Sequence, residues 1–191
     1  MKDWIIKTFC VVTLLYPQLI NASSLNNQNL SGEWKLVESQ LDYHVHFVLK
    51  EVKGTSTKAL GKGICNNELC NFLVAVPIKS FQSGDSNRDL HMIEVTKGAI
   101  HKMVVVNIKF PVTDSSFEKL PNVEVSFAGK KKTFHNLPIH IKEKGSKITA
   151  SGVLPIKLSN FSIDRPSLLG VEVSDKVEID FSMSFSKPPK S

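Results

Sequence analysis

The strongest constraint on the fold is the stretch 176–185, in which polar and apolar residues alternate without exception. The apolar side chains of this stretch are Val177, Ile179, Phe181, Met183 and Phe185. A period of two residues is typical of an antiparallel β-strand with one buried face and one solvated face. The same pattern recurs along nearly the whole chain, which therefore predicts an all-β fold with a continuous apolar wall.

The first 24 residues have the layout of a secretory signal peptide. A basic start precedes the apolar run 8–16, Pro17 follows, and small residues offer cleavage after Ala22 or Ser24. A membrane anchor is the alternative, but the apolar run is much shorter than the ~20 residues that span a bilayer. We therefore expect a periplasmic or secreted protein. The predicted organisation is a cleaved signal peptide (1–24), a polar leader (25–31), a β-barrel domain (32–186) and a disordered tail (187–191).

The mature chain is modestly basic. The whole sequence has 24 Lys and Arg against 18 Asp and Glu, and cleavage removes two bases and one acid. The cluster Lys130, Lys131 and Lys132 is typical of a solvated turn, with steering toward anionic lipid or nucleic acid as the alternative. Because no nucleic-acid-binding motif accompanies it, nucleic acid is not an expected partner.

Cys65 and Cys70 are the cysteines that remain after export. A close pair in an oxidising compartment most simply forms a disulfide, with Asn66 and Asn67 supplying turn chemistry between them. A metal site or a redox pair would need a third ligand or a Cys-x-x-Cys spacing, and neither is visible. We predict a structural disulfide that joins two strands.

The order of the strands favours a barrel. About eight strands and one short helix near 88–95 are predicted, with hairpin turns at 129–131 and 143–146. The predicted strands cover 32–36, 41–49, a third strand around Gly54 and 61–63, 71–78, 102–110, 122–127, 133–142, 146–158 and 176–185. Long strands in hairpin sequence indicate an up-and-down barrel rather than a Greek-key sandwich. Such a barrel is either filled by its own side chains or holds one small ligand.

Several short segments, in this order along the chain, resemble the YceI-like lipid/polyisoprenoid-binding family of bacterial periplasmic proteins. They are Arg88-Asp89 with His91 after the turn Ser83-Gly84, then 123–129, 148–152, 158–163 and 173–179. The resemblance runs from about Trp34 to Phe185. It implies an extended lipocalin-like antiparallel barrel with a long apolar chain, such as a polyisoprenoid or a fatty-acid derivative, inside it.

The apolar faces of the predicted strands form the candidate ligand-binding wall. The alternative is that these side chains pack against one another and leave no space. The wall comprises Tyr43, Val45, Phe47, Phe72, Val74, Val76, Val104, Val106, Ile108, Val125, Phe127, Ile139, Ile141, Leu154, Ile156, Ile179, Phe181 and Met183.

Two groups of polar residues are weaker candidates. Arg88, Asp89 and His91 lie in a polar loop and are candidates for contact with a ligand head group. The alternative is that Arg88 and Asp89 fix the loop and cap the short helix. His44 and His46 could present two imidazoles to a metal, but alternation places them on the solvated face and no third ligand is apparent. We predict no metal site.

The predicted function is that of a non-enzymatic carrier that encloses a long-chain apolar lipid and uses no cofactor. No nucleophile elbow, catalytic triad, phosphate-binding loop or carboxylate pair is present in the sequence. The main alternative is an exported barrel with a self-filled core that serves as an interaction or stress-response protein. The sequence also allows transient contact with a membrane surface and assembly into a homodimer.

Overall fold

The computed structural model describes residues 30–47, 50–112, 118–144, 146–168 and 170–188. The predicted signal peptide, nearly all of the polar leader and the last residues of the tail lie outside the described residues. Those predictions stay predictions.

Antiparallel strands dominate the described chain, as the alternation predicts. The twelve strands are β1 (Gly32–Phe47), β2 (Lys50–Ser56), β3 (Leu60–Cys65), β4 (Leu69–Pro77), β5 (Met103–Pro111), β6 (Lys119–Phe127), β7 (Lys130–Pro138), β8 (His140–Lys144), β9 (Lys147–Lys157), β10 (Ser167–Leu168), β11 (Val171–Glu172) and β12 (Lys176–Ser186). Ten of them form one sheet, and β10 pairs with β11 in a separate ribbon.

The large sheet closes almost completely into a barrel. Its strand order is β7-β6-β5-β4-β3-β1-β12-β9-β8, with β2 also paired to β1. The two ends of this order, β7 and β8, are separated in the chain only by Ile139. One bent segment therefore pairs with β6 through its first half and with β9 through its second half. The expected lipocalin-like up-and-down barrel is confirmed.

The strand count differs from the prediction for a local reason. β2 and β3 run in the same direction beside β1, interrupted by 57–59, and β7 and β8 are likewise one interrupted segment. If each interrupted pair is counted as one strand position, eight strand positions remain around the barrel, and we call these positions staves. The two separate strands predicted at 32–36 and 41–49 are in fact the single strand β1, which is long enough to pair with β12 on one side and with β2 and β3 on the other.

The barrel has two different ends. At the disulfide end lie the start of β1, the β3–β4 hairpin and the β8–β9 turn. At the helix end lie a 3-10 turn (Ile78–Ser80), helix α1 (Ser86–Val95) and a second 3-10 turn (Leu158–Phe161). Helix α1 starts two residues earlier than predicted. Within the described segments, no helix has both the length and the apolar character needed to cross a bilayer.

Asp42 ties β1 to β2 on the outside of the barrel. Its carboxylate accepts hydrogen bonds from the Thr55 hydroxyl and from Gln40 Nε2 (3.0 Å), and Lys53 Nζ lies 3.4 Å away. Burial of the carboxyl acts to raise its pKa, but the bonds from Thr55 and Gln40 and the Lys53 charge outweigh burial, so the pKa of Asp42 is lowered. The ionised form is therefore the one that the fold favours.

We expect the stabilising effect of Asp42 to depend on pH. A lowered folded-state pKa contributes stability above the unfolded value of about 3.9, and that contribution disappears as pH falls through the folded value. Asp42→Asn should lower the free energy of unfolding by roughly 1–3 kcal/mol at pH 7, the scale of hydrogen bonds to a charged group. Denaturant unfolding from pH 7 to pH 3 measures the difference, which should shrink in acid. The exposed Asp164→Asn serves as control, and a difference for Asp42→Asn that does not change with pH would contradict this account.

Candidate functional site

An apolar cavity occupies the half of the barrel nearer the disulfide end. Its floor and walls come from seven of the eight staves, which turn their apolar faces inward. It is lined by Leu30, Trp34, Leu41, Phe72, Val74, Val106, Ile108, Phe110, Leu120, Val123, Leu137, Ile139, Ile141, Ile148, Ala150, Leu154, Ile179, Phe181, Met183 and Phe185. None of these side chains carries a charge, and only the Trp34 indole has a hydrogen-bonding group, which donates to the Leu30 carbonyl at 2.8 Å. The cavity therefore presents hydrocarbon to whatever enters it.

The size of the cavity is bracketed by two volumes. The space open to the centres of water-sized spheres is ≈ 130 Å³, and all space unfilled by atoms, including solvent at the opening, is ≈ 1020 Å³. The smaller volume shows that the side chains leave more room than a single buried water needs.

The predicted wall divides between the cavity and the rest of the interior. Ten of its members line the cavity: Phe72, Val74, Val106, Ile108, Ile139, Ile141, Leu154, Ile179, Phe181 and Met183. Eight do not: Tyr43, Val45, Phe47, Val76, Val104, Val125, Phe127 and Ile156. These eight all lie toward the helix end of their strands and do not line this cavity.

The helix end is filled because side chains from its loops enter the barrel. Phe161, in the second 3-10 turn, is fully buried and its ring centroid lies 5.5 Å from that of Phe127. Phe81, just after the first 3-10 turn, lies 5.8 Å from Tyr43 in the same way. Together with the buried Ile163, these rings form a plug that ends the cavity on this side.

Asp175 holds part of the plug in place. Its carboxylate accepts hydrogen bonds from the backbone N–H and the hydroxyl of Ser159, at 2.8 and 2.7 Å, and its carbonyl accepts from the N–H of Leu158 at 2.9 Å. These bonds fix the turn that carries Phe161. The Ser159 bonds also lower the pKa of the Asp175 carboxyl.

Ten lining residues were absent from the predicted wall. They are Leu30, Trp34, Leu41, Phe110, Leu120, Val123, Leu137, Ile148, Ala150 and Phe185. Most of them are in phase with predicted members of the same strand, such as Val123 with Val125 and Leu137 with Ile139, so the alternation was a sufficient signal for them. Leu30 precedes β1 and belongs to no strand, and Trp34 and Leu120 are out of phase with the predicted wall residues of their strands, so the alternation gave no signal for these three.

The inner face of β2 and β3 is built from small residues, and aromatic rings lie against it. The ring of Phe72 lies over Gly63, where a Cβ would approach Cδ1 to 2.4 Å, and Tyr43 lies over Gly54 in the same way. Phe72 is itself held by Phe110 and Phe185, with ring centroids 6.0 and 5.0 Å away. The shape of the cavity wall thus depends on the absence of a side chain at Gly63.

Arg88 and Asp89 bind the loop that precedes them. Arg88 donates from Nε to Ser83 Oγ and from Nη2 to the Ser83 carbonyl, both at 2.8 Å. Asp89 accepts from the Ser83 N–H (3.0 Å) and hydroxyl (2.6 Å). The loop-fixing interpretation fits these bonds, but the helix cap is Asp85, which accepts from the N–H groups of Asn87 and Arg88 at 3.0 and 3.1 Å.

None of the three predicted head-group residues lines the cavity. Arg88 and Asp89 lie at the filled helix end, and His91 is exposed on α1 with Nδ1 3.4 Å from Glu94 Oε2. Tyr43 connects this loop to the barrel interior: its burial and the nearby Asp89 carboxylate raise the pKa of its hydroxyl, against the opposing effects of Arg88 and a bond to Ser83.

His44 lies on the outer face between two carboxylates. Its Nδ1 is 3.3 Å from Glu51 Oε1 and its Nε2 is 3.0 Å from Asp180 Oδ2. His46 is exposed two residues along the same strand. In the described segments, no group of three or more His, Cys, Asp or Glu side chains could hold a metal ion.

Cys65 and Cys70 form the predicted disulfide. They are paired across the β3–β4 hairpin, and both are buried in the apolar cluster that includes Leu30 and Trp34. The bond lies beside the cavity and fastens its disulfide end.

The fold and the cavity together define an antiparallel, lipocalin-like barrel with an enclosed apolar space. A sequence model of the YceI-like domain matches residues 34–185. The chain therefore belongs to the YceI-like family. No curated protein matches it at a significant level.

Solved structures share the same fold at low sequence identity. A polyisoprenoid binding domain from Saccharophagus degradans, implicated in plant cell wall breakdown, gives a TM-score of 0.68 at 13% identity, over 81% of this chain and 98% of that one. BcnA of Burkholderia cenocepacia gives 0.64 at 18% identity, over 76% and 95%. The YCEI protein of Campylobacter jejuni gives 0.58 at 17% identity, over 75% and 89%. At these identities the likeness shows the fold.

We expect Gly63→Ala to destabilise the barrel. The new Cβ would meet the Phe72 ring, which Phe110 and Phe185 prevent from moving freely, so overpacking of about 1–3 kcal/mol should follow. Urea unfolding measures this loss. The neighbouring Lys62→Ala, on the outer face, should change the free energy by less than about 0.5 kcal/mol. Equal stability of Gly63→Ala and wild type would show that the ring is not seated against this strand.

Proposed function

We propose that this protein is a non-enzymatic carrier that binds a long-chain apolar lipid, a polyisoprenoid or a fatty-acid derivative, inside the barrel. The observation that carries the proposal is the cavity itself, whose twenty lining residues are all apolar. A space without charged side chains offers no means to hold a polar metabolite, whereas it can exclude water from a hydrocarbon chain.

The energetics favour a long chain over a short one. Burial contributes ~0.8 kcal/mol per methylene, so ten enclosed methylenes give roughly 8 kcal/mol before any opposing term. Loss of translational and rotational freedom opposes this by at least about 4 kcal/mol. Micromolar affinity corresponds to about −8 kcal/mol, so a chain of roughly fifteen carbons or more is needed. Such a chain would lie along the apolar cavity and extend into its opening.

The structural neighbours support the same ligand class. The solved structure from Saccharophagus degradans is described as a polyisoprenoid binding domain, and it shares the fold across most of this chain. A shared barrel does not transfer a ligand by itself. The independent support is that the interior of this chain is apolar at the positions that face the cavity.

We place the protein outside the cytoplasm, in the periplasm or beyond. The basic and apolar start of the sequence supports export. The disulfide supports it as well, because such bonds persist in oxidising compartments.

The aromatic packing at the helix end of the interior supports a second candidate function. At the helix end Tyr43 packs against Phe81, and Phe127 packs against the fully buried Phe161. If the other half also closed in solution, the chain would be an exported barrel with a self-filled core, serving as an interaction or stress-response protein. The two proposals differ in whether the protein takes up lipid.

A cavity-filling substitution separates these proposals. Native mass spectrometry of the protein, gently purified from its own compartment and then mixed with palmitate or a polyisoprenol, should show a lipid adduct. Ala150→Leu places extra carbons in the cavity between β8 and β12. If it displaces two methylenes of the ligand at ~0.8 kcal/mol each, affinity should fall about fifteenfold.

The matched control is Ser151→Leu, one position along β9, which adds the same side chain outside the cavity lining. It should leave lipid uptake unchanged. A wild-type protein that carries no lipid and takes up neither probe would refute the carrier proposal and favour the self-filled barrel.

A further inference from the structure

The outer surface behind the cavity carries a cluster of exposed aliphatic residues, which we call the aliphatic face. It consists of Leu60 and Ile64 on β3 and Leu69 and Leu73 on β4. Leu60 and Ile64 are 66% and 57% exposed, and Leu69 and Leu73 are 43% and 40% exposed. Contiguous exposed apolar patches are typical of interaction sites, whereas apolar residues scattered singly are ordinary on a protein surface.

Strand register brings these four side chains together. Leu73 is paired with Lys62, which lies between Leu60 and Ile64 on β3, so both aliphatic residues are diagonal neighbours of Leu73. Leu69 continues the same face of β4 toward the disulfide end. The four residues therefore form one surface.

Three lysines surround the aliphatic face. Lys35 is paired with Lys62 across β1 and β3, and Lys109 is paired with Asn71 across β4 and β5. All three ammonium groups belong to exposed side chains, and none makes an ion pair or a side-chain hydrogen bond with any described residue. Two exposed acidic residues adjoin the face, Glu33, which is paired with Ile64, and Glu68, which precedes Leu69 in the hairpin turn, so three lysines against two carboxylates leave the balance of charge positive.

We infer that the aliphatic face docks the protein on the surface of an anionic lipid bilayer. The aliphatic side chains would enter the headgroup boundary, and Lys35, Lys62 and Lys109 would pair with anionic headgroups. Each unpaired cation gains an opposite charge at such a surface. A second copy of the chain is the less favourable occupant, because a symmetric dimer through this face would bring the two sets of lysines together.

The location of the face gives the docking a purpose, and this inference rests on the proposed lipid-carrying function. Leu73 lies between Phe72 and Val74 on β4, and these two neighbours point inward and line the cavity. The wall that faces the bilayer is thus the wall of the lipid cavity. A carrier docked in this orientation holds its cavity next to the membrane that supplies or receives the lipid.

Vesicle sedimentation tests the docking surface. The protein should bind vesicles in which about a third of the lipid is phosphatidylglycerol more tightly than vesicles of phosphatidylcholine alone. Binding should weaken as salt rises from about 0.01 to 0.15 M, since the screening length falls from ~30 to ~8 Å. Lys62→Gln with Lys109→Gln should weaken anionic-vesicle binding about 30-fold. The double variant Leu60→Ser, Ile64→Ser should weaken binding to both types of vesicle.

Matched controls carry the same changes elsewhere on the surface. Leu90→Ser with Ile100→Ser removes two aliphatic side chains that are 65% and 78% exposed on and after α1. Lys130→Gln with Lys132→Gln removes two exposed cations at the helix end. Both control pairs should bind vesicles like wild type. The inference would be overturned if the face variants bound anionic vesicles like wild type, or if the control pairs lost vesicle binding to the same extent. It would also be overturned if the wild-type protein were a dimer that the face variants dissociate.

Lipid occupancy by native mass spectrometry separates this inference from the proposed function. Face variants should keep the same lipid adduct as wild type, because their side chains point away from the cavity. A wild-type protein that holds lipid but binds no anionic vesicle overturns the docking alone. A protein that binds anionic vesicles through this face but takes up no lipid supports the docking surface and contradicts the carrier proposal.

Discussion

Closure of the sheet is the constraint on which the rest of the structure depends. β1 pairs on both of its edges, with β12 on one side and with β2 and β3 on the other, and the bent segment β7–β8 joins β6 to β9. Closure satisfies the backbone hydrogen bonds of strands that would otherwise be exposed edges. It also turns every inner apolar face toward a shared interior. The interior must then be filled by the chain itself or by something else.

The two halves of the barrel meet this requirement differently. At the helix end, Phe81 and Phe161 enter from the loops and pack with Tyr43 and Phe127. At the disulfide end, the buried disulfide and Trp34 fasten the wall, and among the described residues no comparable ring from a loop occupies the centre. Because empty apolar space forfeits dispersion contacts, a hollow of this kind is expected to have an occupant. The lipid proposal rests on this asymmetry, and the aliphatic face lies on the outer side of the same cavity wall.

The sequence predicted the parts of the structure that obey a period. Alternation identified the inward face of β12 completely from Val177 to Phe185, and the paired cysteines indicated the disulfide. The alternation could not predict the plug, because Phe161 lies in a 3-10 turn and Ile163 lies just after that turn, where no two-residue period applies. For the same reason the predicted wall extended into the filled half, to residues such as Val104 and Ile156. The role of Gly63 depends on a ring from the next strand, which only three-dimensional structure places over it.

Methionine methyl NMR measures the central claim most directly, since the chain has a methionine in the cavity and others outside it. Met183 lines the cavity, whereas Met92 lies on α1 and Met103 begins β5 at the helix end. Titration of delipidated protein with a long-chain lipid should shift the Met183 methyl resonance saturably and leave those of Met92 and Met103 in place. A bound lipid that leaves Met183 unshifted, or that shifts Met92 and Met103 instead, would contradict a ligand site in this half of the barrel.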